Sequence, residues 1–264
     1  MNTNIEIRQG LFEEDIDIYH GTKAISSSLF RTFLKSKRRF RHAWDDWGKK
    51  ESESSETFKI GSAFHTLILE PHKYSERYIV AEDVNRRTKE GKAYIQELNK
   101  LGKDVLSIDD EDMLRSMEAS VKKSELAMMY LDGVKTELSA RRKLSNGLII
   151  QCRPDAVKNE CIIDLKSCAD ITKFGYEIYS YGYHIQAAYY YWLLSNIDPE
   201  KFSESNFYFI AVEKNGPYEL AIHGIRNGTL SRIVEETIKP GLIELGKFIN
   251  EPVHEEQIEW FELR

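Results

Sequence analysis

At residue 136 the hydrophobic pattern of this 264-residue chain changes period, from that of helices to that of strands. Upstream, Met113, Met117, Val121 and Leu126 recur at helical spacing and predict a helix over 108–130. Residues 25–47 also read as helical, with Ser26, Ser27 and Ser28 offering a hydroxyl N-cap. Residues 58–70 read as a buried helix stopped by Pro71. The polar stretches 48–56 and 81–92 read as loops, the second leading into a helix. Downstream, 136–144 and 148–157 are predicted strands joined by an Asn146-Gly147 hairpin turn, and 161–167 is a third after a turn at 158–160. An aromatic-rich helix over 174–196, strands at 207–212 and 218–223, and a closing helix over 229–250 complete the order. Such an order predicts an α/β fold, a mixed central sheet flanked by helices. It predicts one domain over 1–264, with 1–130 mainly helical and 131–264 holding the sheet core.

Composition narrows the class. With 41% hydrophobic and 30% charged residues, the chain reads as globular, and no run of 18 apolar residues predicts a membrane span. The N-terminus lacks a basic region followed by an apolar run, so no secretory signal is expected and the expected location is cytoplasmic. Cys152, Cys161 and Cys168 form no CxxC pair, which argues against a disulfide framework or structural zinc. The net charge of -6 counts mildly against nucleic acid. Basic clusters at 35–41, 86–92 and 141–143 can still hold a phosphate backbone locally.

The densest chemistry is Arg153-Pro154-Asp155, followed nine residues on by Asp164-Leu165-Lys166. Alternate residues of a strand share a face, so Asp164 and Lys166 project together and Leu165 faces the opposite layer. Asp155 ends the neighbouring hairpin strand, and its carboxylate reaches the same edge. Converging carboxylates repel unless a cation relieves them. Magnesium suits carboxylates, waters and phosphate, and paired ions about 4 Å apart support phosphodiester hydrolysis. In that chemistry Lys166 holds the attacking water or offsets phosphate charge, and the Leu165 carbonyl adds a ligand. An Asp-x-Lys pair by itself is more often a surface ion pair. Gly61 and His65 share a helix face, which leaves His65 either a satisfied core residue or a neutral imidazole ligand. Gln186 and Tyr190 share a face in the same way and either line a cleft or pack.

Further stretches fall in one order: Ile25 to Ser28, Gly61 to Pro71, Asn85 to Thr88, Cys152 to Asp155, Asp164 to Ser167, and Tyr183 to Tyr190. In that order the chain resembles the RecE-type exonucleases, in the RecB and lambda-exonuclease branch of the PD-(D/E)XK nucleases, over most of its length. The resemblance implies a restriction-endonuclease-like fold and a Mg2+-dependent 5′ to 3′ exonuclease on double-stranded DNA ends. It implies two ions, with Mn2+ as a substitute, and 3′ overhangs destined for recombination by single-strand annealing. It implies His65, Asp155 and Asp164 as metal ligands, Lys166 as catalytic, Gln186 as supporting, and Glu137 as an acid near the metals. It also implies a phage or prophage setting, a ring-shaped trimer or tetramer, and a RecT-like annealing partner. One departure is Asp164, where the wider superfamily often has Glu. The cysteine spacing does not fit an iron–sulfur cluster, and no GxxxxGK[ST] loop for ATP occurs.

For the substrate, Ser27 and Ser28 near a helix start, with Arg31, are candidates for a 5′-phosphate pocket, or plain helix caps. Arg86, Arg87, Arg153 and the Lys37–Arg39 run are candidate DNA contacts, and Trp44 and Trp47 either wedge a terminal base pair or pack. An endonuclease or nickase of the same superfamily, and a non-catalytic DNA-end scaffold, stand as alternatives.

Overall fold

The structure, a computed structural model, describes residues 7–47, 56–82 and 88–250. After strand β1 (Gly10–Phe12) and helix α1 (Ile16–Gly21), the first long helical stretch divides at Ser36 into α2 (Ser27–Lys35) and α3 (Lys37–Asp45). Ser36 has extended backbone, φ −163°, and its hydroxyl accepts from Arg39 N, so it caps the second helix instead of continuing the first. Serine favours that role because its side chain competes for backbone groups inside a helix. Helix α4 (Glu56–Leu69) ends where expected, but Pro71 also opens α5 (Pro71–Arg77), at the first-turn position where its missing N–H costs nothing.

Strand β2 (Tyr78–Val80), helix α6 (Lys89–Asn99) and strand β3 (Asp104–Leu106) follow; β2 and β3 pair in parallel. The helical run predicted for 108–130 is two helices, α7 (Ile108–Lys123) and α8 (Glu125–Leu131), divided by Ser124, whose hydroxyl caps α8.

The two long strands of the hairpin are each cut in two. They form β4 (Lys135–Thr136), β5 (Ser139–Lys143), β6 (Ile149–Cys152) and β7 (Ala156–Lys158). One antiparallel register runs through, with Thr136 opposite Ala156 and Ala140 opposite Cys152. It is interrupted where Leu138 faces Pro154, which has no N–H to give the ladder, and where Glu137 takes φ 54°. Beyond this corner, β5 and β6 join β1 in a three-stranded sheet.

Strand β8 (Cys161–Cys168), helices α9 (Phe174–Ser180), α10 (Tyr183–Ile197) and α11 (Pro199–Phe202), and strands β9 (Asn206–Glu213) and β10 (Leu220–Ile225) complete the main sheet. Its order is β10-β9-β8-β7-β4, with only β8 and β9 parallel. Helix was predicted throughout 174–196, but Gly182 breaks it with φ 70°, a left-handed position that glycine takes without strain. Helices α12 (Asn227–Ile233) and α13 (Lys239–Asn250) close the chain through a π-helical turn at Val234–Ile238.

Strand alternation sorts two hydrophobic clusters onto the two faces of this sheet. Ile162, Phe207 and Phe209 pack with α2, α10 and α12, while Ile163, Leu165, Ile210 and Val212 pack with α4 and α7. The helices of the N-terminal portion therefore share their core with the sheet. Leu165 is fully buried, and cutting such a side chain to alanine costs about 2–5 kcal/mol.

Candidate active site

The site forms where β7 leaves β8. The ladder between them ends at Ala156 opposite Ile163, and Pro154 carries the chain away. Leu165 then has no strand partner on that side. Its N–H donates to Asp155 Oδ2 at 2.6 Å, and its carbonyl accepts from His65 Nε2 at 3.0 Å. His65 arrives from α4, and its Nδ1 lies 3.4 Å from Asp155 Oδ1. The corner that places Asp155 also places Glu137, whose N–H donates to the Asp155 carbonyl at 3.0 Å. One ligand atom each from His65, Glu137 and Asp155 lies within 4.8 Å of the others. On the other face of β8, Asp164 Oδ1 accepts from Gln186 Nε2 at 2.8 Å, and Lys166 Nζ donates to Asp164 Oδ2. Lys166 Nζ also sits 5.1 Å above the Tyr183 ring.

The electrostatics are those of acids crowded out of water. Burial, with the nearby Asp155, outweighs Lys166 and pushes the Asp164 carboxyl up to about 6. Burial and Asp155 likewise raise Glu137 against the pull of Arg153. Burial would also raise Asp155, but His65, Lys166 and the Leu165 N–H hold it below the ordinary carboxylate value. His65 is raised because Asp155 outweighs the cost of burying its charge, and Lys166 because Asp164 and Asp155 do the same. Splitting neighbouring carboxyls in this way is characteristic of sites that bind cations or move protons.

The residues fit a divalent cation. Two carboxylates and an imidazole converge within ligand reach, and two of the three carboxyls nearby are raised in a way that a cation would relieve. The convergent set keeps His65 and Asp155 of the expected ligands and adds Glu137, expected only as an acid near the metals. Asp164 has both oxygens engaged by Gln186 and Lys166. The Leu165 carbonyl is engaged by His65, with Lys166 Nζ at 3.4 Å.

Other expected residues fare differently. Arg153, read as a DNA contact, is only 10% exposed in its side chain. It donates to Glu137 Oε2 at 2.8 Å, and to the Glu14 carbonyl and Ser139 hydroxyl at 3.0 Å each, so it positions Glu137 and faces no solvent groove. Tyr190 is buried with its ring 6.2 Å from Phe207, and burial, with Tyr19 and Asp164, raises its hydroxyl well above the ordinary value. It packs the core beside the site. Ser27 is buried in the first turn of α2, whose cap is Ser26, accepting from Leu29 N at 3.3 Å. Ser28 is exposed and shares a hydrogen bond with Ser26. Arg31 Nη1 donates to the Tyr181 carbonyl at 2.7 Å, its guanidinium lies 5.9 Å from the Tyr183 ring, and its Nε is buried without a partner. Trp44 stacks on Phe40 and packs against Trp47, so neither wedges a base pair here. Arg86 and Arg87 lie outside the described residues. Lys37 pairs with Glu244, and within 141–143 Arg141 is buried against Glu14 and Gln151.

Two roles were not read from the sequence. Tyr183 underlies Lys166, and Arg153 clamps Glu137. The hairpin register held the second signal, since Arg153 falls opposite Ser139, two residues beyond Glu137 on the same face. Among the described residues, no helix is long and apolar enough to cross a membrane.

Comparison with curated proteins finds no match. Among solved structures the chain is similar to a protein from Eubacterium rectale described as "Putative exonuclease", at 15% identity and TM-score 0.62, over 94% of this chain and 97% of that one. A phage related exonuclease from Haemophilus somnus 129PT aligns at 16% identity over 86% of this chain and 95% of its own. Its TM-score of 0.36 is too low to carry an argument. The first likeness shows a shared fold. A family profile described as a PDDEXK-like domain of unknown function (DUF3799) matches residues 26–261, which take in His65, Glu137, Asp155, Asp164, Lys166 and Gln186. The chain therefore belongs to that PDDEXK-like family and has its mixed α/β, restriction-endonuclease-like fold.

Proposed function

We propose that the chain is a Mg2+-dependent exonuclease that degrades double-stranded DNA from 5′ ends to mononucleotides and leaves 3′ single-stranded overhangs. One observation supports it above others: Asp155 ties the imidazole of His65 to the strand that carries Asp164 and Lys166, with Glu137 alongside. His65, Glu137 and Asp155 would hold the cation, and Asp164 would join them by exchanging its bond to Lys166. The cation supplies Lewis-acid polarisation of a phosphate and eases loss of a proton from water. Lys166, released from Asp164, offsets the charge developing on the phosphate. Gln186 keeps the Asp164 carboxylate aimed, and Arg153 does the same for Glu137.

Arg31 and Ser28 are the groups that support recognition of a terminal 5′-phosphate, Arg31 through the positive charge of its guanidinium beside Tyr183. The 3′ overhangs suit a RecT-like annealing protein, and a ring of three or four copies would keep the duplex threaded. The test uses linear duplex labelled at either end, with Mg2+, with EDTA, and with Lys166→Ala. Loss from the 5′ end in the first case alone is expected, and equal degradation in all three sinks the reading. Closed circular DNA separates this from an endonuclease or nickase, which would cut it.

A further inference from the structure

We infer that Tyr176, Tyr179 and Tyr181 form a platform on which unpaired nucleobases stack beside the active site. This rests on the nuclease reading above and names how the substrate strand is held.

The three rings are 76%, 68% and 59% exposed, within six residues of sequence. Scattered exposed aromatics are ordinary, but a cluster on one short segment is not. Tyr176 and Tyr179 are three apart on α9 and share its face. The segment is firmly anchored. Phe174 is buried with its ring against Phe209, Tyr183 and His223, and Ile178 is buried beneath. Arg31 holds the Tyr181 carbonyl at 2.7 Å. The backbone beneath the rings is thus fixed while their faces remain open, which lowers the entropy lost on stacking.

The platform is continuous with the site. The Tyr181 ring meets Tyr183 edge-on at 5.8 Å, and Lys166 Nζ lies 5.1 Å over Tyr183. Tyr179 pairs separately with His184, the residue next to Tyr183, ring to ring at 5.1 Å. Arg31 flanks the row, with its guanidinium 5.9 Å from the Tyr183 ring and Nη1 on the Tyr181 carbonyl. Bases on one side and a cation on the other is the arrangement that holds single-stranded nucleic acid without reading its sequence.

Asp164 is 2% exposed and Lys166 17% in their side chains, so the reacting groups are recessed, and a separated strand reaches them more readily than an intact duplex. Bases released from a duplex lose their stacking partners, and tyrosine faces beside the exit replace them.

The test measures binding in EDTA, where cleavage is off, to oligo-dT and to an abasic oligomer of equal phosphate count. The variants are Tyr176→Leu, Tyr179→Leu and Tyr181→Leu, singly and combined, with the matching Phe variants. Each Leu variant should weaken oligo-dT binding by about tenfold, leave abasic binding unchanged, and be rescued by Phe. Hydrolysis of bis(p-nitrophenyl) phosphate with Mg2+ should not change. Equal loss on both oligomers, no loss on either, or an altered mass in solution (a subunit contact) overturns the platform. Failure of the unmodified protein to cleave any DNA with Mg2+ would instead sink the nuclease reading, and the base-dependent binding would still be read separately.

Discussion

Asp155 Oδ2 accepts the Leu165 N–H at 2.6 Å, in the place that strand β7 vacates when it turns away at Pro154. A catalytic candidate thus completes the sheet. The same carboxylate faces His65 through its other oxygen, so fold and site share one side chain.

Asp155→Ala should therefore cost stability as well as function. It strips the buried Leu165 N–H of its acceptor and His65 of its counter-charge, a loss of about 1–3 kcal/mol. Asp155→Asn keeps an acceptor for Leu165 and should retain most of that stability while losing metal affinity. Urea unfolding and Mn2+ titration, run on both variants, separate the effects. Equal midpoints for Ala and Asn would show that the Leu165 bond contributes nothing.

Arg153 provides a second case in which a charged side chain near the site works through another. Arg153→Ala releases Glu137, so metal affinity should drop roughly 10- to 100-fold, the usual effect of removing a group that orients a ligand. The salt dependence of DNA binding should not change, because a phosphate contact would have lowered its slope. A shallower slope would restore Arg153 as a DNA contact.

The pH dependence follows from Asp164. Its carboxyl ordinarily titrates at 3.8 and is pushed up to about 6 by burial. The folded chain therefore holds this proton more tightly than the unfolded chain does. From this group, metal-free stability is greatest below 3.8 and falls as pH rises towards 6. A cation competes with the same proton, and with the raised one on His65. Mg2+ should consequently raise the melting temperature more at pH 7.5 than at pH 5. An identical rise at both would place the cation away from Asp164 and His65.

The approach of Asp155 to Asp164 and Lys166 was legible because it depends on strand alternation and on the Asn146-Gly147 hairpin, both local and periodic, whereas the place of His65 followed only from the family resemblance. The grouping of Glu137 with Arg153 was not legible. It depends on the corner at Leu138 and Pro154, where one register passes between two sheets, and a proline within a strand pattern does not announce which sheet each half joins. The breaks at Ser36 and Ser124 escaped for another reason: serine fits a helix interior or a cap, and only tertiary packing decides between them. Ser27 and Arg153 were misassigned because exposure, which separates a ligand contact from a buried brace, is a property of the folded chain.

Gly182 links this backbone geometry to substrate handling. Its φ of 70° suits glycine, and an added Cβ would lie 3.2 Å from Arg31 Cδ. Gly182→Ala should cost about 1–2 kcal/mol for the left-handed backbone. It should also displace Arg31 from the Tyr181 carbonyl, and with it the turn between α9 and α10. Asp164 is held by side-chain bonds from Lys166 and Gln186, and the turn adds the Gly182 carbonyl, which accepts the Gln186 N–H at 3.2 Å and is kept in the alanine variant. Hydrolysis of bis(p-nitrophenyl) phosphate should therefore survive, while KM for DNA with a 5′-phosphate rises. Matching losses on both substrates would mean that the turn supports the catalytic groups directly and that Arg31 has no separate part in binding the strand.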